Sequence, residues 1–167
     1  MEVHIMTRRD KVNYYLDIAE SVSERGTCIR RRYGCIIVKD DEIVSTGYAG
    51  APRGRANCND LGYCRREALK VPRGERYELC RSVHAEQNAI ISASRNQMLG
   101  ATMYLVGVEG KDGSYTPNAE CCALCKRMVI NAGIKTVIAR IDKFNYRVFD
   151  VASEWVDVDD SLEGITQ

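Results

Sequence analysis

A three-layer α/β/α sandwich around a central mixed sheet is the fold this chain predicts. Apolar runs of strand length alternate with segments of helical period, in the order helix, strand, strand, helix, strand, helix, strand. A short polar turn joins the first two strands, which makes them an antiparallel hairpin. Helices separate the later strands, so the sheet should be mixed. At 167 residues the chain is expected to form one domain over 1–167, with a core at about 8–145, a loop-rich insert at about 49–80 and a tail at 146–167.

Residues 8–25 read as the first helix. Val12, Tyr15, Leu16, Ala19 and Val22 recur at three- and four-residue steps and build one apolar stripe, which Gly26 ends. A basic loop at 28–34 leads into Cys35-Ile36-Ile37-Val38, a β-branched run expected as a buried strand with Cys35 in the core. Residues 39–42 make the turn and 43–48 the returning strand. Gly50, Pro52, Gly54, Gly62, Pro72 and Gly74 punctuate the next thirty residues, where no long periodic segment occurs. Such a stretch inside a compact domain needs something to hold it, and a metal would serve. Residues 84–96 read as a helix with a narrow alanine-rich face and Ser82 as its cap. Strands are expected at 101–108 and 136–140, flanking a helix at 122–132 that Gly133 stops. The tail holds Trp155 among acidic residues and reads as a partial helix or strand with a frayed end.

Apolar residues make up 45% of the chain and charged residues 28%, as in ordinary soluble domains. A formal net charge of +1 argues against a nucleic-acid-binding surface. No run approaches the roughly 18 apolar residues of a membrane span, so no membrane partner is expected. Residues 1–11 are charged, which predicts no export signal and a cytoplasmic protein. Eight cysteines are many for this length. In a reducing compartment they are expected to bind metal or pack as small hydrophobes, not to pair.

The chemistry concentrates between residues 80 and 125. His84, Cys122 and Cys125 offer one imidazole and two thiols three positions apart, a nitrogen–sulfur donor set that leaves the fourth corner of a zinc tetrahedron open. Glu86, two residues after His84, would stand beside that corner as a carboxylate able to carry protons. Both halves fall at expected helix starts, where unpaired N–H groups favour thiolates.

His84-Ala85-Glu86 followed by Cys122-Ala123-Leu124-Cys125 resembles the signature of zinc-dependent nucleoside and nucleotide deaminases. Further segments resemble the deoxycytidylate deaminases among them: Cys28-x-Arg30-x-x-Tyr33-Gly34, Gly47-Tyr48-Ala49-Gly50-Ala51-Pro52-Arg53-Gly54 and Asn131-Ala132-Gly133-Ile134-Lys135. The resemblance covers roughly residues 8–145 and implies a cytidine deaminase-like fold. It also implies hydrolysis of dCMP to dUMP and ammonia on the route to thymidylate, with Glu86 carrying protons to N3 and to the departing amine. Other cytosine nucleotides, 5-substituted dCMP, or a non-catalytic zinc-binding module stand as alternatives. Where the family usually has proline before the first cysteine of the pair, this chain has Cys121; where it has an asparagine near bound nucleotide, this chain has Ala49.

The resemblance further implies control by dCTP and dTTP through the glycine-rich segment, with Arg30, Arg31, Tyr48, Gly50, Pro52 and Arg53 as candidate substrate or effector contacts. Arg32 and Arg55 are further phosphate candidates, since arginine forks match phosphate oxygens. A homohexamer is implied, with the tail around Trp155 as a contact. Some relatives carry a second, structural zinc. Here four thiols, Cys28, Cys58, Cys64 and Cys80, occupy the matching region and are expected to close a second zinc site holding the insert together.

Overall fold

The computed structural model describes residues 7–164. Six helical segments and five strands follow one another as α1 (Lys11–Ser23), β1 (Arg31–Lys39), β2 (Glu42–Tyr48), α2 (Cys58–Leu61), α3 (Arg65–Ala68), α4 (Ala85–Ile91), α5 (Arg95–Met98), β3 (Thr102–Glu109), α6 (Ala123–Ala132), β4 (Thr136–Arg140) and β5 (Tyr146–Asp150). The strands form one sheet in the order β2-β1-β3-β4-β5. Only β3 and β4 run parallel; the other neighbours are antiparallel, so the sheet is mixed.

Alternation along β1 sorts the side chains into two cores. Ile36 and Val38 join Tyr15, Leu16 and Ala19 of α1 beneath one face. Cys35 and Ile37 join Ala85 and Ala89 of α4 and Cys125 and Val129 of α6 on the other. Both faces are therefore covered, which makes the three layers. Two glycines set how closely the helices approach. A Cβ on Gly34 would lie 2.2 Å from the Ala19 carbonyl oxygen, and one on Gly47 would lie 2.2 Å from that of Ala85. Any side chain there would push α1 or α4 off the sheet. The β1–β2 hairpin turns on Asp40 and Asp41, both left-handed at φ 50° and 64°, which matches the twist of the strands they join.

The structure departs from the sequence expectations in four places. Residues 31–34, read as part of a basic loop, continue β1, because β3 pairs with all four and β2 with Gly34. The expected 84–96 helix divides: α4 ends at Ile91, and Ser94 caps a separate turn by accepting from the Gln97 N–H. His84, not Ser82, is the residue that begins α4. The tail adds a fifth strand and then a π-helical turn (Ala152–Val156), which lays Trp155 against Phe149 at 5.5 Å between ring centres. Trp155 is buried within its own chain. Among the described residues no helix is long and apolar enough to cross a membrane.

Candidate active site

Two helix starts face each other over the sheet. His84 precedes α4 with extended backbone, and its N–H donates to Gln87 Oε1 at 2.9 Å. The helix behind it is pinned to β2 by three contacts: the close approach at Gly47, a bond from Ser45 Oγ to the Ala89 carbonyl at 2.8 Å, and one from Asn88 Nδ2 to the Tyr48 carbonyl at 2.8 Å. Cys122 occupies the same position before α6, and Cys125 lies fully buried in its first turn.

His84 Nδ1 stands 3.5 Å from Cys122 Sγ and 3.5 Å from Cys125 Sγ. In a zinc tetrahedron with Zn–N about 2.0–2.1 Å and Zn–S about 2.3 Å, neighbouring nitrogen and sulfur ligands stand about 3.5 Å apart. Donor type and spacing thus both fit zinc. All three ligand atoms lie within 4.8 Å of one another, the only such group of metal-binding side chains among the described residues.

Charge is organised around the same point. Hydrogen bonds from Cys125 and His84 hold the Cys122 thiol at about 4, while the proton shared with Cys122 pushes Cys125 upward. Burial works against a charged His84, but its bonds to Cys122 and Cys80 raise it to about 10. A metal would displace these protons, since it needs thiolates and a neutral imidazole. Glu86 is 4% exposed, and burial raises its carboxyl above the usual range against the opposing pull of His84. Cys121 stays outside the triad. Burial pushes its thiol well up, and the nearby Glu86 charge adds to the rise.

A cavity opens over His84, Glu86 and Cys122. Ala49 lines it, as do Arg30 and Arg31, each already holding a carboxylate: Arg30 meets Glu67 at 2.9 Å and Arg31 meets Glu109 at 2.8 Å. The other expected nucleotide contacts lie elsewhere. Tyr48, Gly50, Pro52 and Arg53 do not line the cavity, and neither do Arg32 and Arg55. Gly50 instead exchanges backbone bonds with Val83, 3.1 and 2.7 Å long, and so steadies the residue before His84. Cys28, Cys64 and Cys80 line the cavity wall. They do not gather within 4.8 Å as a ligand group with Cys58, although burial and their nearby charges raise its thiol.

Sequence reasoning missed Tyr33, Arg66, Arg73 and Tyr77, all of which line the cavity. Tyr33 could have been found: it shares the period-two face of Cys35 and Ile37. Burial and the Glu86 charge push its phenol up to about 12. Arg66, Arg73 and Tyr77 sit in the aperiodic insert, where no pattern marks a side chain as facing inward.

A nitrogen and two sulfurs converging at paired helix starts, with a buried carboxyl beside them under a ligand-sized cavity, define a hydrolytic metal centre on an α/β/α frame. The chain belongs to the cytidine and deoxycytidylate deaminase family, matching its zinc-binding region over residues 9–141. A deoxycytidylate deaminase of Mycobacterium phage D29 is 34% identical over 137 residues, covering 80% of this chain and 96% of that protein. One from Schizosaccharomyces pombe is 30% identical over 126 residues, 75% of this chain but 35% of that longer protein. The crystal structure of dCMP deaminase from cyanophage S-TIM5 in complex with dCMP and dUMP has the same fold, with a TM-score of 0.54 and 23% identity over 82% of this chain and 85% of that one.

Proposed function

We propose that this chain is a single-domain deaminase that hydrolyses dCMP to dUMP and ammonia. The observation that carries the reading is the 3.5 Å spacing of His84 Nδ1 from both Cys122 and Cys125 sulfurs beside the buried Glu86. The family match and the near full-length likeness to a phage deoxycytidylate deaminase support it.

His84, Cys122 and Cys125 would hold zinc, which supplies hydroxide near neutral pH. Glu86 then does the proton work. Its raised affinity lets it accept a proton from water as the oxygen joins C4 and hand it to N3 of the pyrimidine, then accept the remaining hydroxyl proton and hand it to the amine as the C4–N4 bond breaks. One water is consumed, and the exocyclic nitrogen leaves as ammonia. Tyr33 and Ala85 close the wall beside Glu86 and keep bulk water from it.

We extend the proposal to a second, structural zinc held by Cys28, Cys58, Cys64 and Cys80, supported by the place of three of these thiols in the insert and by burial and the nearby Cys28, Cys80 and Cys64 raising the Cys58 thiol. Assembly as a homohexamer, activation by dCTP and inhibition by dTTP belong to the same proposal and rest on the family resemblance; a cytoplasmic location belongs to it too and rests on the charged residues 1–11.

Purified protein given dCMP, CMP, dCTP, cytidine and 5-substituted dCMP, with ammonia followed, tests the reading. Turnover should be fastest with dCMP. A preference for the 5-substituted nucleotide would shift the substrate, with Ala49 in the cavity wall as the residue to examine. No turnover of any of them would remove the enzyme. Metal analysis showing one zinc per chain would remove the second site, and sizing with rates at added dCTP or dTTP checks assembly and control.

A further inference from the structure

Three of the less exposed arginines of this protein hold carboxylates. Arg140, 1% exposed, holds Asp17 at 2.8 Å and also Glu20. At the cavity, Arg30 and Arg31 hold Glu67 and Glu109. Arg66 differs from these three. It is 7% exposed and lines the cavity, yet among the described residues no carboxylate pairs with it. One of its terminal nitrogens donates to the carbonyls of Pro72, at 3.1 Å, and Glu75, at 2.5 Å; its Nε, like that of Arg140, is buried with no partner, and no partner meets its other terminal nitrogen among the described residues. Glu78 feels the Arg66 charge but is bonded to Arg76 at 2.5 Å, and Glu120, also on the cavity wall, lies 4.0 Å from Lys126. A buried guanidinium without a carboxylate is stabilised by an anion that reaches its open terminal nitrogen.

Its position says which anion. The guanidinium lies over the Tyr77 ring at 4.6 Å, and that ring meets the edge of His84 at 5.5 Å, 87° apart. The two distances put Arg66 within about 10 Å of the imidazole centre. That span is comparable to the length of a nucleotide from its pyrimidine ring to its 5′-phosphate. Arg73, exposed and on the same wall, adds a second positive charge.

We propose that Arg66, carried by the insert, is the residue that recognises the 5′-phosphate and so selects nucleotide over nucleoside. This rests on the deaminase reading of the same site. Tyr77 stacks beneath the guanidinium and fixes its plane, and the carbonyls of Pro72 and Glu75 hold Nη2 and fix its direction, leaving the other terminal nitrogen, Nη1, for a phosphate oxygen.

The test compares wild type, Arg66→Gln and Arg66→Lys, with dCMP and with deoxycytidine, which lacks the phosphate. In Arg66→Gln, kcat/KM for dCMP should fall about 10- to 100-fold, mainly through KM, with deoxycytidine turnover little changed. Arg66→Lys should recover part of the loss, because it keeps the charge but not the fork. Weaker inhibition of Arg66→Gln by inorganic phosphate is expected alongside. If wild type deaminates dCMP and the variants keep its selectivity, this assignment fails alone; if wild type deaminates no cytosine nucleotide, the deaminase reading fails with it. Equal losses on both substrates, or zinc loss and early melting in both variants, would make Arg66 a clamp of the insert and overturn the proposal.

Discussion

His84 Nδ1 and Cys125 Sγ stand 3.5 Å apart, although 41 positions separate them in the chain. Each sits at the first turn of a different helix, so the contact closes only when α4 and α6 are both seated on the sheet. Metal held there would tie the two helices together.

Chelation is therefore expected to lower the melting temperature by about 5 °C or more, with recovery on adding zinc back. Cys125→Ala should be isolated without stoichiometric metal at this centre and without activity. Calorimetry and metal analysis on the same samples read both outcomes; a metal-free wild type that melts unchanged would contradict the coupling.

Glu86→Gln keeps the shape of the side chain but cannot cycle a proton. Its kcat should drop about 10²- to 10⁴-fold, while zinc content and melting stay at wild-type values. Activity within a few-fold of wild type would place the proton carrier elsewhere.

Gly47 and Gly34 offer a paired experiment on opposite faces of the sheet. Either Gly→Ala change puts a Cβ within 2.2 Å of a helix carbonyl and should destabilise the fold by about 1–3 kcal/mol. Only Gly47→Ala displaces the helix that presents His84 and Glu86, so it alone should also weaken metal binding and kcat. Equal kinetic damage from Gly34→Ala would show that the faces are not independent.

The legibility of the chain follows the range of the interactions. His84, Glu86, Cys122 and Cys125 can be read from sequence because ligand type, spacing and helix start are local features. The stripe of α1 is read for the same reason: Tyr15, Leu16 and Ala19 are buried as their spacing requires. β5 is hidden because three of its five residues are exposed, leaving no alternation to see. Arg31 and Arg32 look like loop residues because three arginines in a row suggest solvent, yet pairing with β3 draws them into a strand. Arg66 is the extreme case. Its burial depends on Tyr77 and on a loop six to nine residues away, contacts that leave no periodic trace.

Arg140 should also respond to acid. Burial alone would raise Asp17, but bonds from Arg9 and Arg140 hold its carboxyl at about 2. A depressed carboxyl contributes stability above its unfolded value near 4, and that contribution disappears as pH falls from about 4 towards 2. Urea denaturation between pH 7 and 2 should show this loss. In Arg140→Met the protein should be about 2 kcal/mol less stable at pH 7, because Asp17 and Glu20 lose their partner but can still reach water. Its decline with acid should be shallower, and an identical slope would remove Asp17 as the responsible group.

Arg66 grips the Pro72 and Glu75 stations by their carbonyl oxygens, and every amino acid has one of those. The roof over the cleft is thus indifferent to spelling at the points where it is fastened. Side chains there are free to drift between lineages, retuning who enters, while the rafters stay where they are.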